Sequence, residues 1–124
     1  MNNHAETLLV KQVMQNYMDG TFNANIEQLK SAFHPNAVMN GYLGPDCVIA
    51  TPAAFIEDIA SAPSMASQGD AYHAEIESIR IEGNVAAVVV SETGFRGSAS
   101  LVDFFQLIKA DGEWKIISKL FTTL

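Results

Sequence analysis

The hydrophobic pattern changes its period once along the chain. Residues 5–18 place Leu9, Val13 and Tyr17 on one stripe, which is the spacing of an amphipathic helix that Asp19-Gly20 is expected to end. From about residue 72 onward the apolar positions alternate with a period of two, which is typical of strands. The sequence therefore predicts helices first and a sheet afterwards, an α+β arrangement.

Two further helices are predicted ahead of the sheet. Asn25 and Gln28 have the spacing of a capping box for a short helix, which His34-Pro35 should stop. Thr51-Pro52 resembles an N-cap followed by Pro at the first helical position, so a third helix is expected from Pro52 to about Ala60. His34, at the boundary, is interpreted as capping the end of the second helix.

The segments between these helices are assigned from composition. A short strand is expected over 37–42, and the turn-forming residues 43–46 follow it. Residues 61–70 consist mostly of Ser, Ala, Gly, Pro and Gln, which predicts an exposed loop.

Four longer strands are expected in the remainder of the chain. They cover Tyr72–Ile81, Asn84–Glu92, Ser98–Lys109 and Glu113–Thr122. Gly83-Asn84 and Asp111-Gly112 are typical hairpin turns, so the last three strands should form an antiparallel meander. The apolar residues change parity between Ile76 and Ile79, which predicts a bulge and a strongly curved sheet. Such a sheet, wrapped over three helices, forms a cone, and a cone deeper than its side chains can fill contains a pocket.

Composition narrows the class of protein. A chain of 124 residues is predicted to form a single domain spanning 1–124. Its net charge of −7 argues against nucleic acid and anionic membranes as partners. No apolar run approaches a membrane span, and the start MNNHAETLL lacks the pattern of an export signal, so a cytoplasmic location is expected. Cys47 is the only cysteine, which excludes an internal disulfide.

The three histidines do not predict a metal site. His4, His34 and His73 are far apart and lack the spacing of metal ligands, so neither a metal nor another cofactor is expected.

Several strings resemble a known superfamily over nearly the whole chain. YMDGTFNANIEQLKSAFHPNAVMNGYL and VDFFQLIKADGEWKIISKLF are similar to the bacterial "putative lumazine-binding" group. This group belongs to the nuclear transport factor 2-like superfamily, with the ketosteroid isomerases, scytalone dehydratases and SnoaL-like cyclases. The resemblance implies the cone-shaped fold, a ligand pocket inside it, and a homodimer formed through the open face of the sheet.

The resemblance also suggests roles for two residues. Asp103 and Tyr17 fall where the ketosteroid isomerases carry a protonated Asp and a Tyr that donate hydrogen bonds to an oxyanion. The general-base Asp of those enzymes aligns near Asn40-Gly41, where this chain has no carboxylate; Asp46, the nearest acid, is assigned to a turn. Steroid isomerisation is therefore not expected.

Asp103 is also unusual on its own. In VDFFQLIK it has large apolar neighbours on both faces of the predicted strand, so it needs a partner or a raised pKa. It either contributes to a site or accepts hydrogen bonds from Tyr17 or Lys119, or pairs across a dimer interface, and fixes the register. Tyr17 itself is either a site residue or a core aromatic whose hydroxyl is satisfied.

Lys119 and His73 each have two interpretations. Alternation places Lys119 on one face with Ile117 and Phe121, so it either points into a cavity, where it could bind an anionic group, or protects an exposed strand edge. His73 either lines the mouth of the cone or lies on the surface.

Three functions remain open from the sequence. The preferred one is a small-molecule-binding protein for a pteridine-like or other planar ligand. Its pocket is expected to be formed by Tyr17, Phe55, Asp103, Phe105 and Lys119, with Phe33, Met39 and Trp114 as further contributors. The second is an isomerase, cyclase or dehydratase in which Asp103 and Tyr17 polarise a carbonyl and an unidentified base, with His73 as a candidate, moves the proton. The third is a dimeric assembly module whose cone is filled by its own side chains.

Overall fold

The structure is a computed structural model that describes residues 3–124. Within these residues there are three helices and six strands: α1 (His4–Asn23), α2 (Ile26–Ala32), β1 (Phe33–Leu43), β2 (Asp46–Ala50), α3 (Pro52–Ser61), β3 (His73–Glu82), β4 (Val85–Phe95), β5 (Ala99–Ala110) and β6 (Glu113–Thr123). The predicted α+β class is confirmed.

Helix α1 runs beyond its predicted end at Asp19-Gly20. It continues to Asn23 and ends at Ala24, which has the left-handed φ of 52°. Gly20 lies inside the helix, where a Cβ would come within 2.8 Å of the backbone nitrogen of Leu29. Its role is therefore close packing of α1 against α2 rather than helix termination.

The second helix begins as predicted but ends earlier. The side chain of Asn25 accepts a hydrogen bond from the backbone nitrogen of Gln28 at 3.2 Å, as expected for an N-cap. The helix ends at Ala32, and Phe33 already has extended dihedral angles. The assignment of His34 as a helix cap is wrong, because His34 lies in β1 and its Nδ1 accepts from the backbone nitrogen of Asn36.

Strand β2 was not predicted from the sequence. The turn assignment ended the element at Asp46, whereas Asp46–Ala50 pairs antiparallel with β1, from Leu43 opposite Asp46 to Met39 opposite Ala50. The Asn40 side chain accepts a hydrogen bond from the backbone nitrogen of Ala50 at 3.0 Å and strengthens this pairing. The next helix, α3, has Pro at its start as predicted, although the Thr51 side chain makes no capping bond.

All six strands form one mixed sheet in the order β2-β1-β6-β5-β4-β3. The last three strands form the predicted antiparallel meander, which β3 extends to four strands, whereas β1 pairs parallel to β6. The expected bulge in β3 lies between Ile76 and Ser78. A second register shift, between β5 and β6, leaves Ile117 without an opposite residue. These shifts bend the strands and add to the curvature of the sheet.

The main core lies between the helices and the concave face of the sheet. Its members include side chains that are almost completely buried: Val10, Met14, Leu29, Val88, Phe105, Leu107 and Ile116. At the base, Glu6 accepts hydrogen bonds from Lys109 Nζ (2.7 Å) and Trp114 Nε1 (2.6 Å) and joins the start of α1 to the β5–β6 hairpin. Helix and sheet are thus fixed together at one end of the cone.

The segment 62–72 is only partly the exposed loop that was expected. Most of its residues are exposed, but Met65 is buried and its sulfur accepts a hydrogen bond from the backbone nitrogen of Arg96. An apolar anchor in a polar segment is not visible from composition alone. None of the helices in residues 3–124 has the length and hydropathy to cross a membrane.

Candidate functional site

Three charged residues lie on the concave face near the open end of the cone. Glu92, Asp103 and Lys119 are 2%, 0% and 3% exposed. They come from β4, β5 and β6, which are neighbours in the sheet, and each follows apolar inward-facing residues on its own strand. Asp103 lies opposite Val90 and Phe121, so Glu92 and Lys119 are its diagonal neighbours on either side. With Tyr17 and Tyr72, these residues are called the polar cluster below.

The ammonium of Lys119 is surrounded by aromatic rings. Its Nζ donates to the Tyr17 hydroxyl at 2.7 Å. Four ring centroids lie within 6 Å of it, namely Phe55 (4.5 Å), Tyr17 (4.9 Å), Phe121 (5.3 Å) and Phe105 (5.9 Å). Aromatic faces stabilise a desolvated cation through their quadrupoles. This cage explains how a lysine can be buried in the centre of the sheet.

Glu92 is held by two phenols. Tyr17 donates to Oε2 at 3.5 Å, and Tyr72 donates to Oε1. Burial is the main cause that raises the pKa of both tyrosines above the usual range, and the negative charge of Glu92 raises it further. Both phenols therefore remain donors at neutral pH. A continuous chain of contacts runs from Lys119 through Tyr17 and Glu92 to Tyr72.

Asp103 differs from Glu92 in having no donor. Neither of its oxygens has a hydrogen-bond partner within residues 3–124. Burial, the largest cause, raises its pKa from 3.8 to about 9; Lys119 acts in the opposite direction, and Glu92 raises it further. The protonated form could donate to the adjacent Glu92 carboxylate, whereas the ionised form would be repelled by it. Asp103 is therefore neutral at pH 7.

A cavity of about 200 Å³ lies next to the polar cluster at the open end. Its wall is mostly apolar and includes Met39, Phe95, Leu101 and Phe121, together with residues of the β1–β2 hairpin. Glu92 and Lys119 are the two cluster residues that line it. Thr51 and Asp58 are the other polar residues in a wall that is otherwise hydrophobic.

An ion pair lies at the rim of this cavity. The Arg96 guanidinium donates to Asp58 Oδ2 at 3.0 Å and also reaches the Asp58 carbonyl. Asp58 is on α3 and lines the cavity, while Arg96 follows β4. The pair connects the helix to the β4–β5 connection beside the opening.

The residues predicted to form the pocket separate into two layers. Phe55 and Lys119 line the cavity, whereas Tyr17, Asp103 and Phe105 are buried behind its wall. Of the further contributors, Met39 lines the cavity, and Phe33 and Trp114 belong to the main core.

His73, the candidate base, is exposed on β3. Its Nε2 lies 3.8 Å from Glu75, and it does not line the cavity.

Two features of the site were missed or misassigned from the sequence. Lys119 does not share a face with Ile117, because the bulge at Ile117 changes the parity and places Lys119 with Ile116 and Phe121. The surface-edge interpretation of Lys119 is wrong, since β6 is a central strand. Glu92 was not proposed, because the preceding run of Val and Ala is apolar on both faces and does not show which parity points inward.

Positions 40 and 41, where the isomerases carry their base, have structural roles here. Asn40 holds β2, as described above. A Cβ on Gly41 would lie 2.0 Å from the backbone oxygen of Phe121, so no side chain fits at position 41. The acidic residue that lines the cavity from the sheet is Glu92, on a different strand.

Comparison with solved structures gives the fold relatives. A nuclear transport factor 2-like protein of unknown function from Shewanella baltica OS155 is 21% identical with a TM-score of 0.87, covering 100% of this chain and 98% of that chain. A second such protein, from Methylobacillus flagellatus KT, is 25% identical with a TM-score of 0.83, covering 98% and 94%. A ketosteroid isomerase-like protein from Erwinia carotovora atroseptica SCRI1043 is 16% identical with a TM-score of 0.69, covering 98% of both chains.

Sequence comparison gives the family. No functionally curated protein matches the chain. The family model described as "Putative lumazine-binding" matches residues 5–122, almost the full length. This match shows that the chain belongs to the "Putative lumazine-binding" family, and its fold is that of nuclear transport factor 2-like structures.

Proposed function

We propose that this protein binds a small planar organic molecule in the cavity at the open end of the cone. The observation that carries the proposal is the pair of buried charged side chains, Glu92 and Lys119, in the wall of an apolar cavity of about 200 Å³. Ligand sites are typically apolar hollows with a few polar groups that orient the ligand. The family description, which names lumazine, is consistent with a planar heterocycle as the ligand.

The size of the cavity limits the ligand. An apolar cavity of roughly 150 Å³ accommodates a benzene ring. A space of about 200 Å³ therefore suits a molecule with one ring or two small fused rings, and is too small for a steroid. Phe55 and Phe121 present aromatic surfaces beside Lys119, against which a flat ring could stack.

Catalysis through Asp103 and Tyr17 has less support from this geometry. Both side chains are fully buried and neither lines the cavity, so a ligand held there would not contact them. An assembly module with a filled cone also has less support, since a cavity remains. Small-molecule binding uses the cavity and the charged groups in its wall, and it needs no movement of the core.

The direct test is a thermal-shift and calorimetric screen of one- and two-ring heterocycles, including lumazine. A ligand at about a hundred times its Kd should add roughly 2.7 kcal/mol of stability, which for a domain of this size is on the order of 10 °C in Tm. Ala50→Phe, which fills part of the cavity, should abolish the shift, whereas Ala87→Phe on the exposed side of β4 should preserve it. A shift that survives Ala50→Phe would place the ligand elsewhere and contradict the proposal.

A further inference from the structure

The positive charge of Lys119 is balanced inside the protein before any ligand binds. A buried lysine in a cavity wall ordinarily indicates an anionic ligand. We propose instead that this cavity selects uncharged molecules that carry a hydrogen-bond acceptor, such as an amide or lactam carbonyl, and discriminates against carboxylates of the same shape. This inference rests on the proposed ligand-binding function and specifies the chemical class of its ligand.

Glu92 supplies the balancing negative charge. One phenol joins the two groups, since Tyr17 Oη lies 2.7 Å from Lys119 Nζ and 3.5 Å from Glu92 Oε2. Tyr72 donates to the other oxygen of Glu92, so each of the two oxygens accepts a hydrogen bond from a phenol. Two opposite charges that are both removed from water compensate each other strongly.

Asp103 adds no charge to this balance. Its oxygens have no donor within the described chain, and Glu92 is its neighbour, so an ionised Asp103 would be a second, unsatisfied negative charge. With a pKa raised to about 9 by burial, it remains protonated at pH 7. The buried cluster is then one cation, one anion and neutral groups.

The ion pair at the rim of the cavity does not change the net charge around it. Asp58 and Arg96 form an ion pair at 3.0 Å, so they also cancel. An anionic ligand would therefore bring an uncompensated charge into a desolvated site, within a chain whose net charge is already −7. An uncharged ligand avoids this cost.

Lys119 nevertheless retains hydrogen-bonding capacity for a ligand. An ammonium has three N–H donors, and among the described residues the one acceptor that Lys119 reaches is Tyr17 Oη. The side chain lines the cavity, so a neutral carbonyl placed there could accept one of the remaining donors. The cavity thus offers a donor without offering a net positive charge.

The test compares benzamide and benzoate, which have the same ring and nearly the same shape but differ in charge. Both are titrated calorimetrically into the unmodified chain at pH 7. Benzamide should bind at least about tenfold more tightly than benzoate, because an unpaired buried charge is penalised more than a neutral amide. Equal or tighter binding of benzoate would overturn the inference and leave the proposed function standing.

A double variant is expected to reverse the preference for benzamide over benzoate. Glu92→Gln combined with Asp103→Asn leaves Lys119 as the charged member of the cluster, and benzoate should then bind at least about tenfold more tightly than to the wild type. Glu113→Gln makes a change of the same sign at an exposed position that does not line the cavity and should alter benzoate binding by less than about threefold, since water and salt screen it. A folded double variant with no gain for benzoate would refute the charge balance.

Absence of binding by both probes is also decisive. If neither benzamide nor benzoate binds the wild type at roughly 10 mM, the cavity does not accept neutral acceptor-bearing rings of fitting size, and the inference fails. Binding of lumazine in the heterocycle screen, blocked by Ala50→Phe, would in that case still support the proposed function. The two proposals are therefore distinguishable in a single set of titrations.

Discussion

The two ends of the concave face are formed by the same three strands but by different side chains. At the closed end, beneath α1, the inward residues are apolar and fill the space, as with Val88, Leu107 and Ile116. At the open end, three or four positions away on each strand, they are Glu92, Asp103 and Lys119. Burial is equally complete at both ends, and the cavity of about 200 Å³ lies against the charged one.

The two ends differ in what burial contributes to stability. Apolar side chains at the closed end gain stability from burial without needing partners. Charged side chains at the open end lose their hydration when they are buried. Only a specific arrangement of phenols and aromatic rings compensates for that loss. Since a hydrophobic replacement is often equally stable or better, the charged end is difficult to explain by folding alone. A ligand-binding role gives a reason for its position beside the cavity.

The largest expected effect comes from removing the cation. Lys119→Met should lower the free energy of unfolding by about 3–5 kcal/mol, because it leaves the Glu92 carboxylate buried without its counter-charge. The matched control is Leu107→Ala at the closed end, which should cost roughly 2–5 kcal/mol through a cavity. Urea denaturation measures both losses.

A second substitution distinguishes these two losses. Adding Glu92→Gln to Lys119→Met removes both charges and should restore most of the lost stability, whereas adding Glu92→Gln to Leu107→Ala should give losses that add. If the stability losses of the Lys119 and Glu92 substitutions were also additive, the two charges would not compensate each other, and the open end would not differ from the closed end.

The next effect is a pH dependence confined to the charged end. The Asp103 pKa is about 9 in the folded chain and near 3.8 when unfolded, so between these values the folded state keeps a proton that the unfolded state releases. The contribution of this group to stability is then greatest below a pH of about 4 and is lost progressively as pH rises toward about 9. Asp103→Asn should remove this slope, while Leu107→Ala should leave it unchanged. Parallel pH profiles of wild type and Asp103→Asn would contradict the assignment.

The sequence reveals the closed end better than the open end. Helix α1 and strands β3 to β6 follow from hydrophobic period and turn residues, which are local signals, and the bulge after Ile76 follows from a visible change of parity. The bulge at Ile117 is hidden by the adjacent apolar pair Ile116-Ile117, so Lys119 was paired with the wrong neighbour.

The polar cluster is harder still to predict. Asp103 is conspicuous because it interrupts an apolar run, whereas Glu92 ends one and resembles an ordinary strand terminus. Which phenols reach Glu92 depends on contacts between residues up to 75 positions apart, and local patterns carry no such information. The cavity likewise depends on β2, a five-residue strand without a clear alternation. Tertiary arrangement, rather than residue type, decides these features.

The smallest expected effect on folding concerns the opposite, convex face of the sheet, where we propose that the homodimer forms. Phe104 and Leu120 lie opposite each other on β5 and β6 and are about half exposed, and Ile49 is 83% exposed. Apolar side chains gathered on an open sheet face are typical of an interface. Phe104→Glu should convert a dimer to a monomer in sedimentation at micromolar concentration and change monomer stability by no more than about 0.5 kcal/mol. Leu8→Glu, at an exposed apolar position on α1, is the control that should leave the dimer intact. A wild-type chain that sediments as a monomer would contradict the proposal. The apolar side chains of the convex face would then be covered by no second subunit, whereas those of the concave face are covered by the helices.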